Sequence, residues 1–195
     1  MALIEAEFGN FRQARESATS ALTLARARET QGAAALALAR GGDAARALRL
    51  TEDLARHFPK DTYLNAVMLP TVRAAVELRG NNPAGAIELL RSVSPYELGY
   101  YAGLAPTYLR AQAYLQAKDG RKAIAEFQKI LQHRGTEPAS PLYVLARLGL
   151  ARATVMTGDA TRGRLAYQDF LALWKDADPS IPILQEANAE YARLR

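Results

Sequence analysis

Cysteine is absent from the 195 residues, so neither a disulfide framework nor a thiolate metal site is available to this chain. That absence fits a reducing cytoplasm and leaves an extracytoplasmic location open. Long hydrophobic runs are missing too. The longest uncharged stretches, such as 31–39 and 98–109, fall short of the ~18 residues a membrane span needs. Glu5 and Glu7 interrupt the place where the apolar core of a secretory signal would lie. Lysine is scarce: the formal charge of +5 rests on 20 arginines against five lysines, dispersed over the whole length. Short pairs such as Arg26/Arg28 and Arg162/Arg164 do not make the continuous basic stripe of a nucleic-acid binder.

Catalytic signatures are lacking as well. The chain has no glycine-rich nucleotide loop with a phosphate-contacting lysine and metal-binding aspartate, no G-x-S-x-G elbow and no H-E-x-x-H helix. Asp176 and Asp178 precede a proline without the ligand count of a calcium loop, and read as turn and cap residues. The expectation is a non-enzymatic chain with no cofactor and no metal.

Alanine is abundant, at 39 residues, and lets helices form readily and approach closely. The alanines fall in a pattern. Ala14/Ala18, Ala47/Thr51, Ala86/Leu90, Ala123/Phe127 and Gly163/Tyr167 repeat one register, with steps of 33, 39, 37 and 40 residues between the small positions. A period near ~34 residues with two helices per unit is the signature of a tetratricopeptide-type solenoid. The expected fold is therefore all-α: a right-handed superhelix of about four and a half helical hairpins with a C-terminal capping helix.

Boundaries follow from turn chemistry. Residues 1–195 read as one module, made of a partial repeat at 1–27, repeats at about 28–61, 62–99, 100–141 and 142–178, and a capping helix at 182–194. Because only about eight residues precede the Gly9-Asn10 turn, the simplest expectation is a module cut from a longer protein. Gly41-Gly42-Asp43 and Gly158-Asp159 are hinge-and-cap sequences. Asn82-Pro83 restarts a helix with proline in the first turn. Pro70 predicts a kink or a late start in its helix. Lys118 stands where a hinge glycine is usual, and Gly163 lies inside a helix. His57 and His133 fall at the C-terminal ends of second helices, where they complement the helix dipole.

The closing stretch Phe170 to Pro179, with Ile181-Pro182-Ile183-Leu184 and Ala189-Glu190-Tyr191-Ala192, resembles the C-terminal end of a bacterial family. In that family helical repeats follow a serine/threonine protein kinase domain or a winged-helix transcriptional regulator domain. Leu69 to Ala75, Pro95 to Gly99 and Phe127 to Gly135 are similar too, so the resemblance runs over roughly 61–195. It implies a protein-interaction or sensory region of a bacterial signalling protein.

In stacked hairpins the first helix of each unit lines the inner face. That register selects Met68, Thr71 and Ala75, then Tyr108 and Gln112, then Leu148 and Arg152. Arg73 and Arg110 follow Pro-Thr pairs one repeat apart, at a position that is ordinarily apolar. Each must pair with a carboxylate such as Glu77 or Glu97, or offer its guanidinium to a bound acceptor. Tyr100 and Tyr101 add contact area nearby. The expected function is a protein-protein interaction scaffold that takes a protein or peptide in its groove or self-associates. The alternative is a small-molecule sensor. An open groove favours the first and a closed cavity with converging polar groups the second.

Overall fold

The computed structural model describes residues 1–99 and 102–194. Eleven α-helices and no strand are found among them. They are α1 (Ala2–Glu7), α2 (Phe11–Leu24), α3 (Arg28–Arg40), α4 (Ala44–His57), α5 (Leu69–Arg79), α6 (Pro83–Arg91), α7 (Ala105–Gln116), α8 (Gly120–Gln132), α9 (Leu142–Met156), α10 (Ala160–Leu173) and α11 (Pro182–Ala192). None is long and apolar enough to cross a membrane among the described residues.

Five turns join α1 to α2, α3 to α4, α5 to α6, α7 to α8 and α9 to α10, and all share one geometry. Gly9, Gly42, Asn81, Lys118 and Gly158 adopt left-handed backbone angles with φ of 89°, 87°, 60°, 62° and 92°. Each is followed directly by an Asn or Asp at the helix N-cap. Asp43, Asn82, Asp119 and Asp159 accept a hydrogen bond from the backbone N–H three residues on, at 3.0–3.2 Å. That bond satisfies one of the four orphan donors of a helix start. Asn10 departs from the pattern: its side-chain amide donates to Glu5 Oε2 at 2.8 Å.

Five residues beyond each left-handed position lies the small residue of the repeating register. Ala14, Ala47, Ala86 and Ala123 are fully buried, as are their partners Ala18, Thr51, Leu90 and Phe127. At Gly163 an added Cβ would strike Val155 of α9, so the α9–α10 crossing is closer than alanine permits. The glycine seen as a departure in sequence is a packing requirement.

Helices pack in chain order, and the odd-numbered ones also pack on each other: α1 on α3, α3 on α5, α5 on α7 and α7 on α9. They form an inner layer, with α2, α4, α6, α8 and α10 outside. Alanine makes the inner layer thin: Ala34, Ala35, Ala37 and Ala39 of α3 are all buried. α11 packs on α10, where Leu184 and Ala187 join the cluster of Leu148, Tyr167 and Phe170.

The Pro70 disturbance takes a defined form. A π-helical turn, Leu64–Met68, leads directly into α5, which starts at Leu69 with the proline in its first turn. Proline cannot donate to the preceding turn, and a π-bulge accommodates the missing bond without breaking the rod. One contact has no counterpart in the periodic pattern. Ile183 at the start of α11 donates its backbone N–H to the carbonyl of Phe8 at 3.2 Å. The Phe8 ring stands edge-on to Trp174, centroids 5.3 Å apart, and Trp174 stacks on Phe170 at 5.3 Å. The two ends of the helical array therefore touch.

Candidate functional site

Where the ends meet, the inner layer lines a solvent-open cavity of 490 Å³. α1, α3, α5, α7, α9 and α11 all contribute to its wall. Tyr108, Gln112 and Arg152, selected by the repeat register, line it together with Ala75. Leu148 is buried in the core beside α10 instead.

Two ion-pair clusters face this space. Arg40 pairs with Glu7 of α1, donates to Gln112 Oε1 at 2.5 Å, and lies over the Tyr108 ring with its guanidinium carbon 5.7 Å from the centroid. Burial pushes the Glu7 carboxyl up from its ordinary value, and Arg40 opposes that shift. Arg152 donates to Glu190 Oε2 at 2.9 Å and to Glu186 Oε2 at 3.2 Å. Burial pulls the Arg152 pKa down, but the hydrogen bond to Glu190, the Glu190 charge and the nearby Tyr167 and Tyr108 together hold it above its ordinary value. Tyr167 donates its hydroxyl to the same Glu190 oxygen at 2.8 Å. Tyr108 is kept neutral: burial drives its phenol well above the ordinary value, with Glu7 adding to the effect.

Arg79 also reaches the wall, lying 4.5 Å over the Phe11 ring, and has no carboxylate partner among the described residues. Gln116 donates to Leu78 O at 3.2 Å and to Asn81 Oδ1 at 2.8 Å. Its own carbonyl oxygen is buried without a partner among the described residues.

The remaining selected residues lie elsewhere. Met68 and Thr71 border a second cavity of 340 Å³ between α3 and α5, with Tyr63 and Glu137 at its edge. Thr71 donates its hydroxyl to Val67 O at 2.6 Å. Arg73 is exposed and forms no ion pair among the described residues. Arg110 is buried, pairing with Glu97 and donating to Glu126 Oε2 at 2.6 Å, while Lys129 reaches Glu97 at 2.7 Å. Its guanidinium is thus fully engaged within the fold. Arg73 and Arg110 share a register but not an environment, because Glu97 lies beyond a 3-10 turn, Ser94–Tyr96, that packs beside α7. Tyr100 and Tyr101 lie outside the described residues.

Sequence reasoning missed Glu7, Arg40, Glu186 and Glu190. Glu186 and Glu190 carried a faint signal, being four apart on one face of α11. His57 and His133 are equivalent: each ring nitrogen Nδ1 sits 2.7 Å from the carbonyl four residues back. Among the described residues no cluster of three metal-ligating side chains forms. No known protein family, curated protein or solved structure matches the chain.

Proposed function

We propose that the chain is a non-catalytic interaction module of the tetratricopeptide type, a right-handed superhelical scaffold through which a bacterial signalling protein recruits a protein partner. The observation that supports it most is the fivefold recurrence of a left-handed turn residue, an Asn or Asp cap and a buried small residue, with the first helices gathered on one inner face. Such arrays use their inner faces for binding. The upstream kinase or regulator domain belongs to the same proposal and rests on the resemblance of 61–195.

A second reading, a small-molecule sensor, is favoured by the cavity. Its 490 Å³ falls in the ~300–1,000 Å³ range of ligand pockets, and charged groups from α3, α9 and α11 converge on it. Ligand contacts would bridge α7 to α11 and bias how the ends of the array meet.

Retention of lysate components of the source organism on wild type and on Gln112→Trp, which fills the inner face, tests both readings. A protein retained by wild type and lost with the variant supports the scaffold. A stoichiometric metabolite with no protein supports the sensor and overturns the scaffold.

A further inference from the structure

The central cavity is neutral in sum but not in distribution. Arg40 and Glu7 neutralise each other. Arg79 has a ring beneath it and no carboxylate beside it among the described residues. On the α11 side two carboxylates, Glu186 and Glu190, share the single guanidinium of Arg152. One side of the space therefore carries an unmatched cation and the other an excess of negative charge. A simple anion would meet the excess carboxylates, and a simple cation the unmatched arginine. Arg79 and Glu186 both reach solvent, so either mismatch weakens affinity without abolishing it.

From this we infer that the central cavity binds a small zwitterion, its carboxylate on Arg79 and its ammonium group on Glu186 and Glu190. Arg79 offers a carboxylate the paired N–H groups of a guanidinium. The inference rests on the sensor reading of the cavity and gives it a substrate class.

Isothermal titration with a ladder of ω-amino acids from 4-aminobutyrate to 6-aminohexanoate, and with glycylglycine and triglycine, tests it. Hexanoate and hexylamine serve as controls of similar length with one charge each. At least one zwitterion is expected to bind, with each control weaker by about tenfold or more, the loss of one charge-assisted contact. Arg79→Gln is expected to weaken the zwitterion and hexanoate but not hexylamine, and Glu186→Gln the zwitterion and hexylamine but not hexanoate. Both side chains lie at the edge of the fold, and far-UV circular dichroism verifies that each variant is folded. Equal binding of hexanoate or hexylamine would overturn the zwitterion and leave a small-molecule cavity standing. Absence of binding by every probe would overturn the zwitterion, and the metabolite arm of the lysate experiment then decides the sensor reading separately.

Discussion

Ile183 donates its backbone N–H to the carbonyl of Phe8 at 3.2 Å, tying the start of α11 to the turn that follows α1. Around that bond Phe8, Trp174 and Phe170 form a ring cluster. This cluster joins the first hairpin to the last helix of the array. Trp174→Ala removes both ring contacts. Since the indole is only half-buried, the expected loss is about 1–2 kcal/mol, below the 3–5 kcal/mol of a fully buried aromatic. Urea denaturation followed by circular dichroism measures it.

Arg110 and Glu97 form the most deeply buried ion pair described, with side chains 7% and 2% exposed. Arg110→Ala leaves Glu97 with Lys129 alone, and the expected cost is about 3–5 kcal/mol. Arg110→Met combined with Glu97→Gln removes both charges, and is expected to recover a substantial part of that loss in the same denaturation experiment.

The pair also sets a pH dependence. Burial raises the Glu97 carboxyl, but hydrogen bonds from Arg110 and Lys129 outweigh it and hold the pKa below its ordinary value of 4.5. A carboxylate depressed in the folded state adds stability above its unfolded pKa, and that stability is lost as pH falls through the folded value. Thermal midpoints should therefore drop below pH 4.5, and Glu97→Gln should flatten that part of the profile. Glu7, raised by burial, acts with the opposite sign: its contribution falls as pH rises through its elevated pKa.

Glycine marks two different requirements. At Gly149 an added Cβ would run into the Phe127 ring, so Gly149→Ala is expected to cost about 1–3 kcal/mol by overpacking despite alanine's better helix propensity. Gly135→Ala, with nothing within 4 Å of the new Cβ, is the neutral control. Denaturation midpoints of the two variants should separate clearly.

Lys118 holds φ 62° at the hinge between α7 and α8, where Gly42 and Gly158 serve the equivalent turns. A left-handed conformation costs a non-glycine residue about 1–2 kcal/mol, while glycine costs about 0.5–1 kcal/mol in unfolded-chain entropy. Lys118→Gly is expected to stabilise the protein by about 0.5 kcal/mol, read from the urea midpoint.

The hairpins were legible in the sequence because each is specified locally. Asp43, Asn82, Asp119 and Asp159 cap helices three residues from their own backbone donors, and Ala47 or Ala123 marks a crossing within its own hairpin. The π-helical turn before Pro70 was legible only as a disturbance. The cavity was not legible, since Phe8 meets Trp174 only through the summed rotation of every crossing between them, which no local pattern encodes. For the same reason Glu7 and Glu190 could not be assigned to one space with Tyr108. The fate of Arg110 was half legible: Glu97 stood out as a partner, but that Arg73 would remain exposed depended on the irregular segment after α6.

Closure of the array underlies both the cavity and what is proposed to bind there, and Trp174, the sole tryptophan, reports on it directly. Nuclear Overhauser spectroscopy of the protein with labelled phenylalanine rings tests the contact. The account requires cross-peaks from the indole to both Phe8 and Phe170. Cross-peaks to Phe170 alone, with none to Phe8, would mean an open groove and contradict it.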